Sequence, residues 1–269
     1  MSAMAEKIRL DALLTHLGKA PSRERAKAVI MSGAVFLDGK RLDKPGIMLP
    51  PTDDPEVRVS AMPYVSRGGL KLEKALDAFG VEVSGRYCID CGASTGGFTD
   101  CLLQRGAKKV YAVDVGYGQL DWRLRQDNRV KVLERTNVRY LTSQDLEEAP
   151  SLAVIDLSFI SLRLILPAVY GLLDSNGETV CLIKPQFEAG REHVGKKGVV
   201  REAAVHFRVL EQFLIDAVAA GFGVLALDYS PIKGPEGNIE YLAHLSMRGQ
   251  NAGDLNVQGL VEKSHEDLI

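Results

Sequence analysis

The sequence predicts an α/β domain with a mostly parallel, doubly wound sheet of seven strands, preceded by a small α+β module. Apolar runs recur at the segment holding Cys88-Ile89 and at 109–115, 130–134, 152–158, 178–184, 222–229 and 239–245, with helical stretches between them. Such alternation means parallel strands with crossover helices on the sheet faces. The last two runs are joined by a loop with no room for a crossover helix, so the final strand is expected to be antiparallel. At the front, residues 1–50 carry nine Lys/Arg against five acids, net +4, although the whole chain stands at −2. A basic leading module on an acidic remainder points to a polyanionic partner.

Length and composition fit this plan. A chain of 269 residues holds one large domain and a small one, and 46% hydrophobic with 25% charged residues is a globular balance. The expected boundaries are 1–62 for the module and linker, 63–246 for the α/β domain, and 247–269 for a frayed polar tail. The start lacks a basic segment followed by an apolar one, the pattern of a secretory signal. The most apolar window, Phe213 to Tyr229, is broken by Asp216, Gly221, Gly223 and Asp228, and reads as helix, turn and strand. The expectation is a cytoplasmic protein with no membrane association. Cys88 and Cys91 form a C-x-x-C, but no second pair follows and a strand points them to opposite faces, so buried free thiols are expected. His193 has no partner at ligand spacing, and no metal site is expected.

In the leading module, Leu10, Leu13, Leu14 and Leu17 make one helical face, ended by Gly18. Ser22 is placed to cap a second helix with Ala26, Val29 and Ile30 inside and Arg23, Arg25 and Lys27 outside. Val35-Phe36-Leu37 before Asp38-Gly39 reads as a hairpin with a type I′ turn, and Val57-Arg58-Val59 as the last strand. The stretch RLDALLTHLGKAPSRERAKAVIMSGAVFLDGKRL resembles the S4 RNA-binding module over about 55 residues. That resemblance implies an RNA surface of Arg9, Ser22, Arg23, Lys27, Lys40 and Arg41, contacting phosphates with little base readout; Arg67, beyond the linker, is added to it.

The α/β domain opens with SRGGLKLEKALDAFG, whose Leu72, Ala75, Leu76 and Phe79 form a helix face with Lys71 in the first turn. The macrodipole slightly disfavours a lysine there. YCIDCGASTGGFTD follows: a short strand, Asp90, a turn through Gly92, Gly96 and Gly97, then a helix. Such a turn brings backbone close to a ligand. A phosphate-cradling loop is excluded by Phe98 where its lysine must stand, and a dinucleotide fingerprint by Ser94 at its second glycine. The remaining D-x-G-x-x-x-G-G resembles motif I of S-adenosylmethionine (SAM) methyltransferases, which implies a Rossmann-like class I fold. Asp114 ends the next strand, 22 residues after Gly92, where an acid can accept ribose hydroxyls. The cofactor-binding set is therefore Asp90, Gly92, Ser94, Thr95, Gly96, Gly97, Phe98, Asp114, Val115 and Asp156.

Three more charges fall at strand ends or within an apolar strand: Asp156 after Ala153-Val154-Ile155, Lys184 after Leu182-Ile183, and Glu240 between Ile239 and Tyr241. Ligands of open α/β sheets bind at the carboxyl edge, so with Lys71 these give two lysines and two carboxylates beside the cofactor. Lys71, Asp156, Lys184 and Glu240 match the K-D-K-E set of FtsJ-type ribose 2′-O-methyltransferases. With the S4-like module and VSRGGLKL, residues 6–246 look like the TlyA family, often labelled haemolysin A. The family implies methylation of cytidine 2′-hydroxyls in 16S or 23S ribosomal RNA, with ribosomal RNA or subunits as partners. The 2′-hydroxyl is a weak nucleophile, so catalysis needs in-line positioning and help with the proton. Lys184 is expected to orient the hydroxyl, as a base or as an electrostatic guide, with Lys71 near it. The basic 185–200 loop reads as a lid or RNA clamp, or as a plain solvated loop. A pore-forming haemolysin would need a signal, an amphipathic pore segment or alternating barrel strands, and none is visible. A catalytically idle RNA-binding protein that retains SAM is the other alternative, and the intact K-D-K-E set argues against it.

Overall fold

The structure is a computed structural model describing residues 7–31, 33–57, 62–249, 253 and 255–268, which fall into two compact units, Met1–Pro63 and Tyr64–Ile269. In the first, β1 (Ile8–Arg9) leads into α1 (Leu10–His16), followed by α2 (Arg23–Met31), β2 (Val35–Leu37), β3 (Lys40–Arg41), β4 (Met48–Leu49) and β5 (Glu56–Val57). Leu10, Leu13 and Leu14 are fully buried against Ala26, Ile30 and Val35, as their spacing requires. Ser22 Oγ accepts the Arg25 N–H at 3.2 Å and so caps α2. Asp38 and Gly39, at φ +50° and +76°, make the type I′ turn that lets β2 pair with β3. Of the expected last strand, Val57 pairs with β2, and Arg58 and Val59 lie outside the described residues.

The second unit begins with α3 (Gly68–Phe79), β6 (Tyr87–Cys91), α4 (Gly97–Gln104), β7 (Lys109–Val113), α5 (Trp122–Arg125), β8 (Val130–Leu133) and β9 (Leu152–Ile155). It continues with α6 (Leu166–Leu172), β10 (Glu178–Ile183), α7 (Pro185–Glu188), α8 (Ala203–Ala219), β11 (Gly223–Tyr229), β12 (Tyr241–Ser246) and α9 (Val257–Leu268). The strands form one sheet in the order β8-β7-β6-β9-β10-β12-β11, and β12 is antiparallel to both neighbours. Residues alternate between two cores. Cys88, Val110, Val154 and Leu182 face α3, α4 and α5, whereas Ile89, Tyr111, Ile155 and Ile183 face α6, α8 and α9. With both faces covered, the strands read as continuous apolar runs. Cys88 and Cys91 are free and lie in opposite cores.

Between β9 and β10 the chain makes a 3₁₀ turn, Leu162–Leu164, and then α6, two pieces because Pro167 in the first turn of α6 lacks an N–H. One expectation needs correction. The tail expected to be frayed contains a packed helix: α9, Val257–Leu268, buries Val257, Val261 and Ser264. Ser264 Oγ meets the Tyr241 hydroxyl at 2.9 Å, and His265 Nε2 reaches His206 Nδ1 at 3.0 Å. Burial holds His206 down to about 4, so the ring is neutral at pH 7. With its Nε2–H given to the Val200 carbonyl, its Nδ1 is left as an acceptor, facing the Tyr241 hydroxyl at 2.9 Å and His265 Nε2 at 3.0 Å.

Candidate active site

The glycine turn after β6 is shaped by close backbone approach. Gly92 sits at φ +95°, and a Cβ there would stand 2.6 Å from the Asp156 carbonyl oxygen. A Cβ on Gly97 would collide with Ser66 Oγ and stand 2.9 Å from the Gly69 amide, so α4 can start this close to α3 because Gly97 lacks a side chain. Ser94, at φ +48°, turns its N–H to Asp114 Oδ2 at 2.8 Å, and Asp114 Oδ1 accepts the Gly116 N–H at 2.7 Å. Asp114 thus ties the turn to the end of β7, and a carboxylate's remaining lone pairs are available to a ligand. Ser94, Thr95 and Val115 are exposed along this edge, whereas the Phe98 ring is buried beside Gly68.

Asp90 is fully buried. Its Oδ2 accepts from Thr99 Oγ1 at 2.6 Å, and its Oδ1 has no hydrogen-bond partner among the described residues. Burial pushes this carboxyl up to about 7, a rise that the Thr99 bond opposes and the nearby Asp156 charge reinforces. An unsatisfied acidic oxygen beside an open glycine turn fits a ligand with a cationic end, as an α-amino and sulfonium compound has. Thr99 was missed by sequence reasoning, although its place in the first turn of α4, one helical turn from the apolar Leu102 and Leu103, was a readable signal.

The four charged residues come together at the carboxyl edge. Continuing the alternation past the strand ends puts Asp156, Lys184 and Glu240 on the face that α3 covers. The register Ile183↔Tyr241 sets Lys184 and Glu240 at opposed positions. Lys71, 7% exposed, reaches across from α3 and donates to Glu240 Oε2 at 2.5 Å; Glu240 is 1% exposed. Lys184 Nζ lies 2.5 Å from Asp156 Oδ1 and donates to Ser158 Oγ at 3.1 Å. Each lysine therefore has its own carboxylate. Asn238 supports this end of β12: its Oδ1 accepts the Val200 N–H at 3.0 Å and its Nδ2 donates to the Gly198 carbonyl at 2.9 Å. These bonds anchor the far end of the 185–200 loop, where Arg191, Lys196 and Lys197 are exposed.

Beside Lys184 stands a feature the sequence did not reveal. Phe159 has φ +66° and is 90% exposed, and its ring lies 5.1 Å from that of Phe187. A bulky residue held in the left-handed region with its ring in solvent is strained at a cost of roughly 1–3 kcal/mol, and such strain gathers at functional sites. Of the residues assigned to RNA, Arg9 and Arg23 are about half exposed and both hold buried Asp11, with Arg9 Nη2 at 3.0 Å and Arg23 Nη2 at 3.3 Å. Lys27, Lys40 and Arg41 are exposed, Ser22 serves as the α2 cap, and Arg67 is exposed with its guanidinium on the Lys233 carbonyl at 3.1 Å. Among the described residues no group of three His, Cys, Asp or Glu is placed to hold a metal ion, and no helix is long and apolar enough to cross a membrane.

Comparison with known proteins identifies the family. Residues 64–247 match the FtsJ-like methyltransferase family and residues 8–54 the S4 domain. YqxC of Bacillus subtilis is 51% identical, with 98% of this chain and 96% of that protein covered. The 16S/23S rRNA (cytidine-2′-O)-methyltransferase TlyA of Mycobacterium tuberculosis is 44% identical over 98% of both chains. A solved structure from Streptococcus thermophilus that carries a hemolysin name superposes with a TM-score of 0.78 at 48% identity, covering 98% of this chain and 97% of that one. An S4 domain, a seven-stranded methyltransferase sheet and these relatives together place the chain in the TlyA family of FtsJ-like RNA methyltransferases.

Proposed function

We propose that this protein transfers a methyl group from SAM to the 2′-hydroxyl of a cytidine in ribosomal RNA. The observation that carries the reading is the pairing of Lys184 with Asp156 and of Lys71 with Glu240 at the sheet edge that also bears the glycine turn. The turn residues Gly92 and Ser94–Gly97, with Asp90, Asp114 and Asp156 around them, would hold SAM. When bound, SAM supplies an electrophilic methyl group on a sulfonium.

The chain's own residues then have to place a hydroxyl in line and manage its proton. As an ammonium, Lys184 has three N–H donors. Ser158 Oγ takes one at 3.1 Å and Asp156 supplies the counter-charge at 2.5 Å, which leaves N–H donors to serve the 2′-oxygen. In that geometry Lys184 steers the oxygen and stabilises the charge that grows on it, and the proton leaves to water. Lys71, neutralised by Glu240, adds a fixed ion pair to the wall of the site without placing a free second cation next to Lys184. Phe159 offers a flat apolar face for the base of the extruded nucleotide, since base stacking on an aromatic ring contributes about 1–3 kcal/mol. The exposed cations of the first unit would hold the phosphates of the surrounding RNA.

The test is a mass-spectrometric map of 2′-O-methylated nucleotides in 16S and 23S RNA, using isolated ribosomal subunits incubated with the purified protein and SAM. A new ribose methyl on cytidine is expected. Methylation on a base, or none on either subunit, would refute the proposal.

A further inference from the structure

The backbone ladder between β9 and β10 ends at the pair Cys181↔Ile155, one residue before Asp156 and three before Lys184. The residues assigned to chemistry thus lie where the sheet stops aligning the chain. Among the described residues, no backbone-to-backbone hydrogen bond joins the 156–162 segment to the 184–188 segment. Side chains make the connection. Asp156 and Ser158 meet Lys184, and the Phe159 and Phe187 rings meet at 5.1 Å. Glu188, the last residue of α7, then takes the Ser161 hydroxyl on Oε2 at 2.6 Å and the Leu162 N–H on Oε1 at 2.8 Å.

This last contact differs from the others. It spends both carboxylate oxygens on two consecutive residues and so fixes orientation as well as distance. It also caps the 3₁₀ turn Leu162–Leu164, whose free N–H groups have no earlier carbonyl to serve them. Phe159 lies between the Ser158 contact on one side and the Glu188 contact on the other, and a left-handed phenylalanine persists only where its surroundings over-determine it. Neither Ser161 nor Glu188 faces the glycine turn through any bond described, so the contact can act on the reaction only through the loop it holds.

We propose that Glu188 is a positioning residue for methyl transfer: by clasping Ser161 and Leu162 it keeps the 156–162 loop seated on Lys184 and Phe159 turned outward. This rests on the reading that Lys184 and Asp156 act on the substrate. A displacement near 1 Å at a reacting group can cost on the order of 100-fold in rate, so loss of the clasp is expected to lower kcat while leaving ligand affinity alone.

The experiment compares Glu188→Ala, Glu188→Gln, Ser161→Ala and Lys184→Ala in the full-length protein, with ribosomal subunits and SAM as substrates. Glu188→Ala is expected to reduce kcat by about 30-fold with the KM for RNA and the Kd for SAM within about twofold. Glu188→Gln keeps an acceptor for the Leu162 N–H and a donor for Ser161 Oγ, so it is expected within about threefold of the wild type and serves as the folded control. Ser161→Ala, which leaves the Leu162 bond in place, should lose about threefold. The proposal is overturned if Glu188→Ala retains kcat within twofold, or if its loss comes with a matching loss of SAM affinity, the mark of a merely structural role. Lys184→Ala separates the two layers of argument. Normal turnover there would defeat the reading of the site and this proposal with it, whereas a silent Lys184→Ala beside a fully active Glu188→Ala defeats this proposal alone.

Discussion

The two units of this chain handle charge in opposite ways. In the first, the buried group is an acid, Asp11, clasped by the half-exposed Arg9 and Arg23, while Lys27, Lys40 and Arg41 stand in solvent. In the second, two lysines are buried at the sheet edge, each neutralised by one carboxylate, alongside the fully buried Asp90. Exposed cations act at a distance, are screened by salt, and substitute for one another. A buried ammonium can exist only because the fold supplies its counter-charge, so it is sensitive to a single atom. The first arrangement suits gripping a polyanion and the second suits positioning one oxygen.

The sharpest way to break that contrast is Lys184→Ala, which should lower methyl transfer by at least about 1,000-fold in a single-turnover assay while calorimetry shows SAM affinity within about twofold. Normal turnover would remove the distinction between gripping and chemistry. Next in size is Glu240→Gln. It leaves the Lys71 ammonium buried without its partner and should cost about 3 kcal/mol in urea unfolding. Replacing the pair together, Lys71→Met with Glu240→Leu, should recover most of that stability and none of the turnover; if the single and double variants unfold alike, the pair is not the buried unit described.

A smaller effect concerns acid stability. The Arg9 bond first, aided by Arg23, holds Asp11 down to about 2, below the ordinary carboxylate range. A depressed carboxylate adds stability that is complete above about pH 4 and is lost as pH falls toward about 2. Glu178, held near 2 by His244 and Arg86, titrates over the same window in the other unit, so the comparison must be Asp11→Asn against the wild type. Hydrogen exchange of α1 amides should lose its acid dependence between about pH 4 and 2 in that variant. The mildest change is Lys40→Ala, expected to weaken RNA binding by a few-fold at physiological salt and to reduce the slope of log K against log salt by about one, with SAM binding untouched.

How much of this was legible follows the same divide. The strands could be read because both sheet faces are covered, which makes each an uninterrupted apolar run. The glycine turn and the four charged residues were legible as motifs. The burial of Lys71 was not, because it depends on Glu240, 169 positions later, arriving opposite it. Phe159 and Glu188 were invisible for a related reason. A left-handed phenylalanine and a carboxylate clasp acquire meaning only once β9 and β10 lie side by side. The last helix was hidden by its composition, since part of its inward face is Ser264 and His265, residues that read as solvent-exposed until Tyr241 and His206 are found waiting for them.

That helix bears on how the protein can be taken apart. The residues matching the methyltransferase family stop at 247, and a chain cut there would look complete by that measure. It would strip Val257 and Val261 from the core, at roughly 1.5–3 kcal/mol each, and leave the Tyr241 hydroxyl, next to Glu240, without Ser264. A fragment meant to fold and turn over on its own is expected to need the chain through Leu268, because Asp267 in the last turn of α9 accepts from the Tyr229 hydroxyl.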